Sequence, residues 1–293
     1  MDTDVIVVPF SKIEPAVSHR CFELLDMQST EAVSVQIQGL KIIYLRTEFT
    51  NNFHMLPLSK LYEWIKFAIA ILNRSCPEEL DSIRYEEELP RTVWWKSKKW
   101  AAKLLGRLFQ RCRYPYYADK HYVFTARKFL TEWAPLAIDS LLVILNAVSN
   151  GDHVSDRVLS LILSFTNNAI ALSVCWQIVK PHALELIERL LFPILCYGDI
   201  AEDRWREDVE EPILFKFAGF KDLLHVAHDA GKLLIGLART SDVAESIFFF
   251  VVQVLSCSVN SREIEGAFRV LGELCVHLTR NKVSDLFLVI IIT

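Results

Sequence analysis

Apolar residues recur at helical spacing along most of this chain. Val33, Ile37, Leu40 and Tyr44 form one stripe, and Leu61, Ile65, Ala68 and Leu72 form another. Leu184, Ile187, Leu191 and Ile194 repeat the pattern, as do Ile264, Ala267, Phe268, Leu271, Leu274, Cys275 and Leu278. Residues three and four apart share one helix face, so each stripe is a surface that has to be buried against a neighbour. Start and stop residues agree with this. Asn260 precedes Glu263 by three positions, as in a capping box, and Lys180-Pro181 places a proline in a first turn. Cys76-Pro77, Asn150-Gly151-Asp152, Gly198-Asp199 and Thr240-Ser241-Asp242 read as short turns. The spacing predicts helices near 10–27, 30–47, 58–74, 93–112, 121–148, 154–175, 182–197, 211–218, 221–238, 242–257, 261–279 and 283–292. Strand-like runs such as Val5–Val8 are too few to pair into a sheet.

Helices of this length joined by short turns suggest antiparallel pairs stacked in a row. Units of roughly 40–47 residues are the arithmetic of HEAT and armadillo repeats. The connectors at 75–92 and 198–211 are long and no clean repeat emerges, so a closed bundle stays open. The row is favoured because no helix is apolar on all sides for long enough to sit at a bundle centre. The expected fold is therefore all-α, one elongated solenoid over 1–293 with about five to six helix pairs.

Composition removes several function classes. The chain has 32 basic and 36 acidic side chains, a formal net charge of −4, which is no footprint for a general nucleic-acid binder. Seven scattered cysteines without a CxxC spacing point to neither a disulfide framework nor a zinc knuckle, and small buried thiols in a reducing compartment fit better. That makes Asn73-Arg74-Ser75 a poor glycosylation acceptor. No targeting or spanning segment stands out. The run 246–259 is apolar but short of the roughly 20 residues a bilayer needs, and 286–292 is shorter still. The abrupt start and the apolar end LFLVIII read as those of a partial chain, with bare surface that would make it self-associate.

Two stretches carry the functional expectations. In TVWWKSKKWAAKLLGRLFQRC (92–112), Trp94, Trp95, Ala101, Ala102, Leu104, Leu105, Leu108 and Phe109 share one arc of a helical wheel. Lys96, Lys99, Lys103, Arg107 and Gln110 take the other, and Trp100 sits at the border. Lys98 falls inside the apolar arc, where its charge needs a carboxylate or carbonyl partner. The plain reading is an amphipathic helix with snorkelling lysines. The sharper one is a basic, Trp-edged face in which Lys96, Lys99 and Lys103 meet a partner and Trp94 and Trp95 anchor the helix. In EDRWREDVEEPILFKF (202–217), six acids between 202 and 211 face Arg204 and Arg206, a local charge of −4 that equals the excess of the whole chain. Glu210 and Glu211 suit the start of a helix whose first turn holds Pro212. Glu202, Asp203, Glu207 and Asp208 are left over as a candidate docking patch for a basic partner, with Trp205 as the anchor of the connector.

These stretches also carry a resemblance. VWWKSKKWAAKLLGRLFQR resembles the Trp-Trp-Lys-x-Lys-Lys-Trp-Ala helix of the importin-beta superfamily, in its importin-seven/importin-eight branch. IVKPHALELIERLLFPILCYGD (178–199) is similar to that branch's Lys-Pro-His helix and Phe-Pro-x-x-Cys-Tyr ending, and RWREDVEEPILFKF resembles its Trp-x-Glu-Asp-Pro segment. Val209 stands in place of the family's proline and Pro212 in place of an aromatic. The resemblance implies a right-handed solenoid of HEAT repeats, part of a receptor (karyopherin) that shuttles between cytoplasm and nucleus. It implies basic cargo such as ribosomal proteins or histones, release by the GTP form of the small GTPase Ran, and contact with nucleoporins. By position the chain resembles a segment downstream of the repeats that supply the principal Ran contact.

Catalytic patterns fail. His225 and His228 lie at i, i+3 without a third ligand nearby, Gly231-Lys232 lacks the upstream glycine of a phosphate loop, and neither GxSxG nor GxGxxG occurs. No enzyme, resident metal or cofactor is expected. The competing class is a helical-repeat scaffold, or an export receptor of the same superfamily, without Ran-dependent import.

Overall fold

The structure, a computed structural model, describes residues 4–27, 29–49, 58–77, 92–113, 120–196 and 217–280. All regular structure among them is helical. The helices are α1 (Asp4–Glu23), α2 (Thr30–Phe49), α3 (Leu58–Asn73), α4 (Val93–Arg113), α5 (Lys120–Lys128), α6 (Ala134–Ser149) and α7 (Asp156–Ala169). They continue as α8 (Ser173–Val179), α9 (Ala183–Leu186), α10 (Phe192–Leu195), α11 (Phe217–Leu237), α12 (Ser241–Cys257) and α13 (Ser261–Arg280). The chain divides into two compact units, 1–140 and 141–293.

In the first unit the packing alternates between two layers. Neighbours in sequence run antiparallel. Gln36 Nε2 on α2 donates to the Leu24 carbonyl after α1, and Lys98 on α4 reaches the Leu72 carbonyl at the end of α3. Helices two apart run parallel. Trp64 and Phe67 of α3 pack on Phe22 of α1 at ring separations of 5.3 and 5.2 Å, while Trp64 Nε1 donates to Glu14 Oε1 at 3.2 Å. On the other layer α2 lies along α4, where Val33, Ile37 and Trp94 form one cluster and Tyr44 meets the Trp100 edge farther along. Tyr62 stacks on Trp133, which joins α3 to the next helix of the first layer.

The second unit repeats the scheme. α7 and α11 lie parallel and in step: Ser160 Oγ donates to Asp229 Oδ2 at 2.5 Å, Arg239 donates to the Ile170 carbonyl, and both bonds join residues 69 positions apart. The run 173–195 lies along α12, with Lys180 on Asp242 at 2.7 Å and Phe192 edge-on to Phe250. Antiparallel neighbours whose alternate members stack parallel are the signature of HEAT-type repeats, and the fold is of that all-α solenoid class.

Two helices carry matching irregularities. Phe129–Trp133 and Ile187–Leu191 are π-turns, closed by Ala134 N–H to Phe129 O and by Phe192 N–H to Ile187 O. In each a proline stands two positions after the turn, Pro135 or Pro193, which has no N–H for the usual bond to the fourth residue before it. The wider turn absorbs that lost bond without ending the helix. Pro181 has a related effect. The expectation placed it in the first turn of a helix at 182–197, but it lies inside the run 173–195, where Lys180–His182 tighten to a 3-10 segment.

These irregularities rotate the apolar stripe and correct the sequence reading. Leu184 is 40% exposed, and the buried residues from 183 to 195 are Ala183, Leu186, Ile187, Leu190, Leu191, Phe192 and Leu195. The helix expected over 154–175 stops at Ala169, and a new one starts at Ser173, with neither Gly nor Pro at the break. Val5–Val8 lie within α1, so that strand-like run is helical. Phe268, placed in the apolar stripe of α13, is 61% exposed. The segment at 283–292 lies outside the described residues.

The helix over 123–149 is long and apolar enough to cross a membrane by length and composition, a segment the hydropathy reading passed over. Phe129, Trp133, Ala134, Ala137, Ile138, Leu141, Leu142 and Leu145 on it are buried, while Phe124, Leu136 and Val143 are exposed, so one face of it packs into the core. The cysteines are free where described. Cys21, Cys112 and Cys175 are buried, with burial raising the Cys21 thiol to about 11, but Cys257 is exposed and departs from the buried-thiol expectation.

Candidate functional site

Helix α4 has basic residues at Lys96, Lys98, Lys99, Lys103, Arg107, Arg111 and Arg113 and no acid. Its buried face is the expected arc of Trp94, Trp95, Ala101, Ala102, Leu104, Leu105, Leu108 and Phe109, extended by Ser97 and Cys112. Lys96 is exposed, Lys99 and Lys103 are half-buried, and their i, i+3, i+7 spacing keeps them on one side. The structure adds α2 to this side. Lys41 Nζ stands 5.6 Å and Lys103 Nζ 4.9 Å from the Trp100 ring centre, Tyr44 meets that ring edge-on at 5.5 Å, and the Arg107 guanidinium lies 6.0 Å from the Tyr44 ring. Cations beside aromatic faces are held by the ring quadrupole, which orders long side chains that would otherwise sample many rotamers. Lys41 is missing from the sequence reading, and Tyr44 enters it only in an apolar stripe, because their approach to Trp100 depends on which helices stack.

Lys98 turns inward, as the wheel requires. Its Nζ donates to the Leu72 carbonyl at 2.9 Å and lies 5.4 Å from the Trp95 ring. Burial lowers its pKa, opposed by nearby Cys76 and reinforced by Arg74. Leu72 belongs to the last turn of α3, whose carbonyls have no intrahelical partner. A cation there satisfies an orphan acceptor and faces the negative end of the helix dipole.

Arg74, just past α3, is a second polar centre that the sequence reading treated only as the middle of a glycosylation triplet. Its Nη1 donates to Gln36 Oε1 at 3.0 Å and to the Leu25 carbonyl at 3.4 Å, its Nη2 reaches Ser97 Oγ at 3.5 Å, and its guanidinium lies 4.6 Å from the Trp94 ring centre. One side chain thereby ties the ends of α1 and α3 to α2 and α4. Burial lowers its pKa. A third buried cation, Arg46, is pushed down to about 10 by burial and held up in part by Glu14.

The same capping device recurs in the second unit. Arg239 donates to the Ile170 carbonyl and stacks 4.4 Å from the Trp176 ring, and Arg269 Nη1 donates to the Leu195 carbonyl at 3.1 Å. In each case a cation closes a helix C-terminus, from the turn after α11 for Arg239 and from α13 for Arg269. At the start of α13 the expected capping box is modified. Asn260 Oδ1 accepts from Arg262 N at 3.1 Å, but Glu263 accepts from Ser258 Oγ at 2.5 Å, and Ser258 Oγ in turn accepts from Asn260 N.

Glu202, Asp203, Trp205, Glu207 and Asp208 lie outside the described residues. His228 is exposed on α11, and among the described residues no three His, Cys, Asp or Glu side chains gather as a metal site would need.

The chain is 29% identical over 282 residues to Importin-8 of Homo sapiens, covering 96% of this chain and 27% of that protein. It is 30% identical over 297 residues to Importin-8 of Danio rerio, covering 96% and 28% respectively. An Arabidopsis thaliana protein, "Importin beta-like SAD2 homolog", is 30% identical over 161 residues, 55% of this chain and 15% of that protein. No protein-family model and no solved structure matches the chain. It therefore spans only about a quarter of the length of the importin-8 proteins it matches. With similarity along nearly its whole length and a HEAT-type alternation of helices, the chain belongs to the importin-beta superfamily, in the importin-7/importin-8 branch.

Proposed function

We propose that the chain is part of a receptor that binds basic cargo proteins in the cytoplasm, carries them past nucleoporins into the nucleus, and releases them when Ran in its GTP form binds. The observation that carries this reading is the alignment to Importin-8 of Homo sapiens over 282 residues, which leaves little of the chain unaccounted for. Charge supports it. The six acids between 202 and 211 supply a local field that attracts basic proteins, ribosomal proteins and histones among them. A transport receptor also needs no reactive centre, only surfaces whose affinity changes with the partner bound.

The test is a pull-down with the full-length protein against Ran loaded with GTP or with GDP, in the presence of a basic cargo. The expected outcome is retention of Ran-GTP over Ran-GDP with loss of cargo. Equal retention of both nucleotide forms with cargo undisturbed would make the chain a scaffold instead.

A further inference from the structure

α12 and α13 each bury one side and leave an apolar side bare. On α12, Phe250 meets Phe192 of the run 173–195 edge-on at 5.1 Å. Phe249 is 60% exposed and Val252 and Leu255 are half-buried. At about 3.6 residues per turn these three lie about 100–160° round the helix from Phe250, away from that contact. On α13, Gly266 lies against Cys196 and Glu273 beside Gly231 of α11. Phe268, 61% exposed, and half-buried Ile264 and Leu271 take the opposite side. Counted from the turn at 258–260, Phe249 and Phe268 are nearly equally far along their antiparallel helices and stand level. The hairpin thus presents one apolar face, of the kind that marks a contact.

We infer that the chain's own segment 283–292 docks on this face and brings Ile291 against Phe249. The segment lies outside the described residues, and its sequence carries the argument. VSDLFLVIII runs through seven apolar residues in succession, Leu286 to Ile292, and starts two residues after α13 ends at Arg280. Sequence neighbours in this unit run antiparallel and helices two apart run parallel, so the segment returns along α13 and lies beside α12. The step between neighbours of one layer sets the register. Gly231 of α11 faces Glu273 of α13, and the same step from Phe249 reaches Ile291. A second copy of the chain fits less well, because a tethered segment acts at a high effective concentration and needs no encounter in solution. Docked in this way, the segment takes an exposed apolar face out of the surface open to partners.

The experiment is thiol cross-linking of the full chain carrying Phe249→Cys and Ile291→Cys, with Cys257→Ser to remove an exposed competing thiol. A short bis-maleimide is added to the folded protein and linked peptides are read by mass spectrometry. The expected result is a 249–291 link within one chain. Its yield should fall about tenfold when Val174→Cys, an exposed position on α8, replaces Phe249→Cys. Circular dichroism checks that the variants fold. Should they not, hydrogen exchange of the unsubstituted chain decides alone. Amides of 283–292 should then exchange about tenfold or more slowly than those of a free peptide of that sequence. Absence of the 249–291 link in the folded variant, equal yields from the two pairs, or free-peptide exchange rates would overturn the inference. Links formed only between chains, seen as a doubled mass, would also overturn it, in favour of a second copy on this face. None of these outcomes bears on Ran or on basic cargo, so the two readings fail separately.

Discussion

Lys98 and Leu72 are joined by a hydrogen bond of 2.9 Å from an ammonium to a helix-terminal carbonyl, made where burial opposes the charge. The bond has opposing effects on stability. It satisfies a carbonyl that α3 leaves without a partner, and it desolvates a cation. Lys98→Met removes both, and the lost hydrogen bond should dominate because a buried acceptor is left unmade, a cost of about 1–2 kcal/mol in chemical unfolding. The pH dependence has a definite sign. A lysine whose folded pKa is lowered loses its proton in the folded chain first, so the unfolded chain holds more protons between that value and the ordinary 10.5. Stability from Lys98 therefore rises with pH across that alkaline window. The gap between the native chain and Lys98→Met should widen as the pH rises toward the ordinary lysine value of 10.5, and a gap that narrows would contradict the burial account.

Arg74 should be the more sensitive position. Its guanidinium bonds Gln36, Ser97 and the Leu25 carbonyl and stacks on Trp94, so Arg74→Leu orphans acceptors from several helices at once. A loss of about 2–4 kcal/mol is expected. Arg74→Lys should recover only part of it, because an ammonium cannot span acceptors that the planar fork reaches together. Full recovery by lysine in thermal melts would show that charge, not geometry, is what the site needs.

Much of this architecture was legible in the sequence, for reasons that differ by residue. The arc of α4 from Trp94 to Phe109 follows from helical spacing alone, and an inward Lys98 on that arc demanded the oxygen partner that Leu72 supplies. Spacing failed where the helix departs from 3.6 residues per turn. The π-turn at Ile187–Leu191 and the 3-10 segment at Lys180–His182 exposed Leu184, although Pro181 and Pro193 were the available warnings. The break after Ala169 had no such warning. It is closed by Arg239, a contact between residues 69 positions apart that a local pattern cannot register. Lys41 joined the basic side of α4 for the same reason: its partner Trp100 lies on a helix two elements away.

Glycines separate close packing from mere helix propensity. A Cβ on Gly236 would stand 2.5 Å from Asn167 Oδ1 and 2.8 Å from Ile170 Cδ1, whereas one on Gly272 would meet nothing within 4 Å. Both positions are helical. Gly272→Ala should stabilise by about 0.5–1 kcal/mol through the unfolded state and the helix interior. Gly236→Ala should destabilise by about 1 kcal/mol, since the ends of the Asn167 and Ile170 side chains have to turn out of its way. Opposite shifts in melting temperature are the expected pair, and two upward shifts would mean that the Asn167 and Ile170 side chains make room at no net cost.

The acids between 202 and 211 give the last prediction, which rests on charge alone. Six acids against two arginines within ten positions make a field that acts over roughly a Debye length, about 8 Å at physiological ionic strength. If basic cargo is drawn to it, Glu207→Lys with Asp208→Lys turns the local charge from −4 to neutral, because each reversal adds two. Association with a basic protein should slow about tenfold at low salt, while the dissociation rate changes less, as expected for charges that steer encounter. The difference between native chain and variant should shrink as salt is added. Stopped-flow binding of a histone to the full-length protein measures both rates. An association rate that is indifferent to the double reversal at low salt would leave these acids as a solvated surface and move the search for the cargo site elsewhere on the receptor.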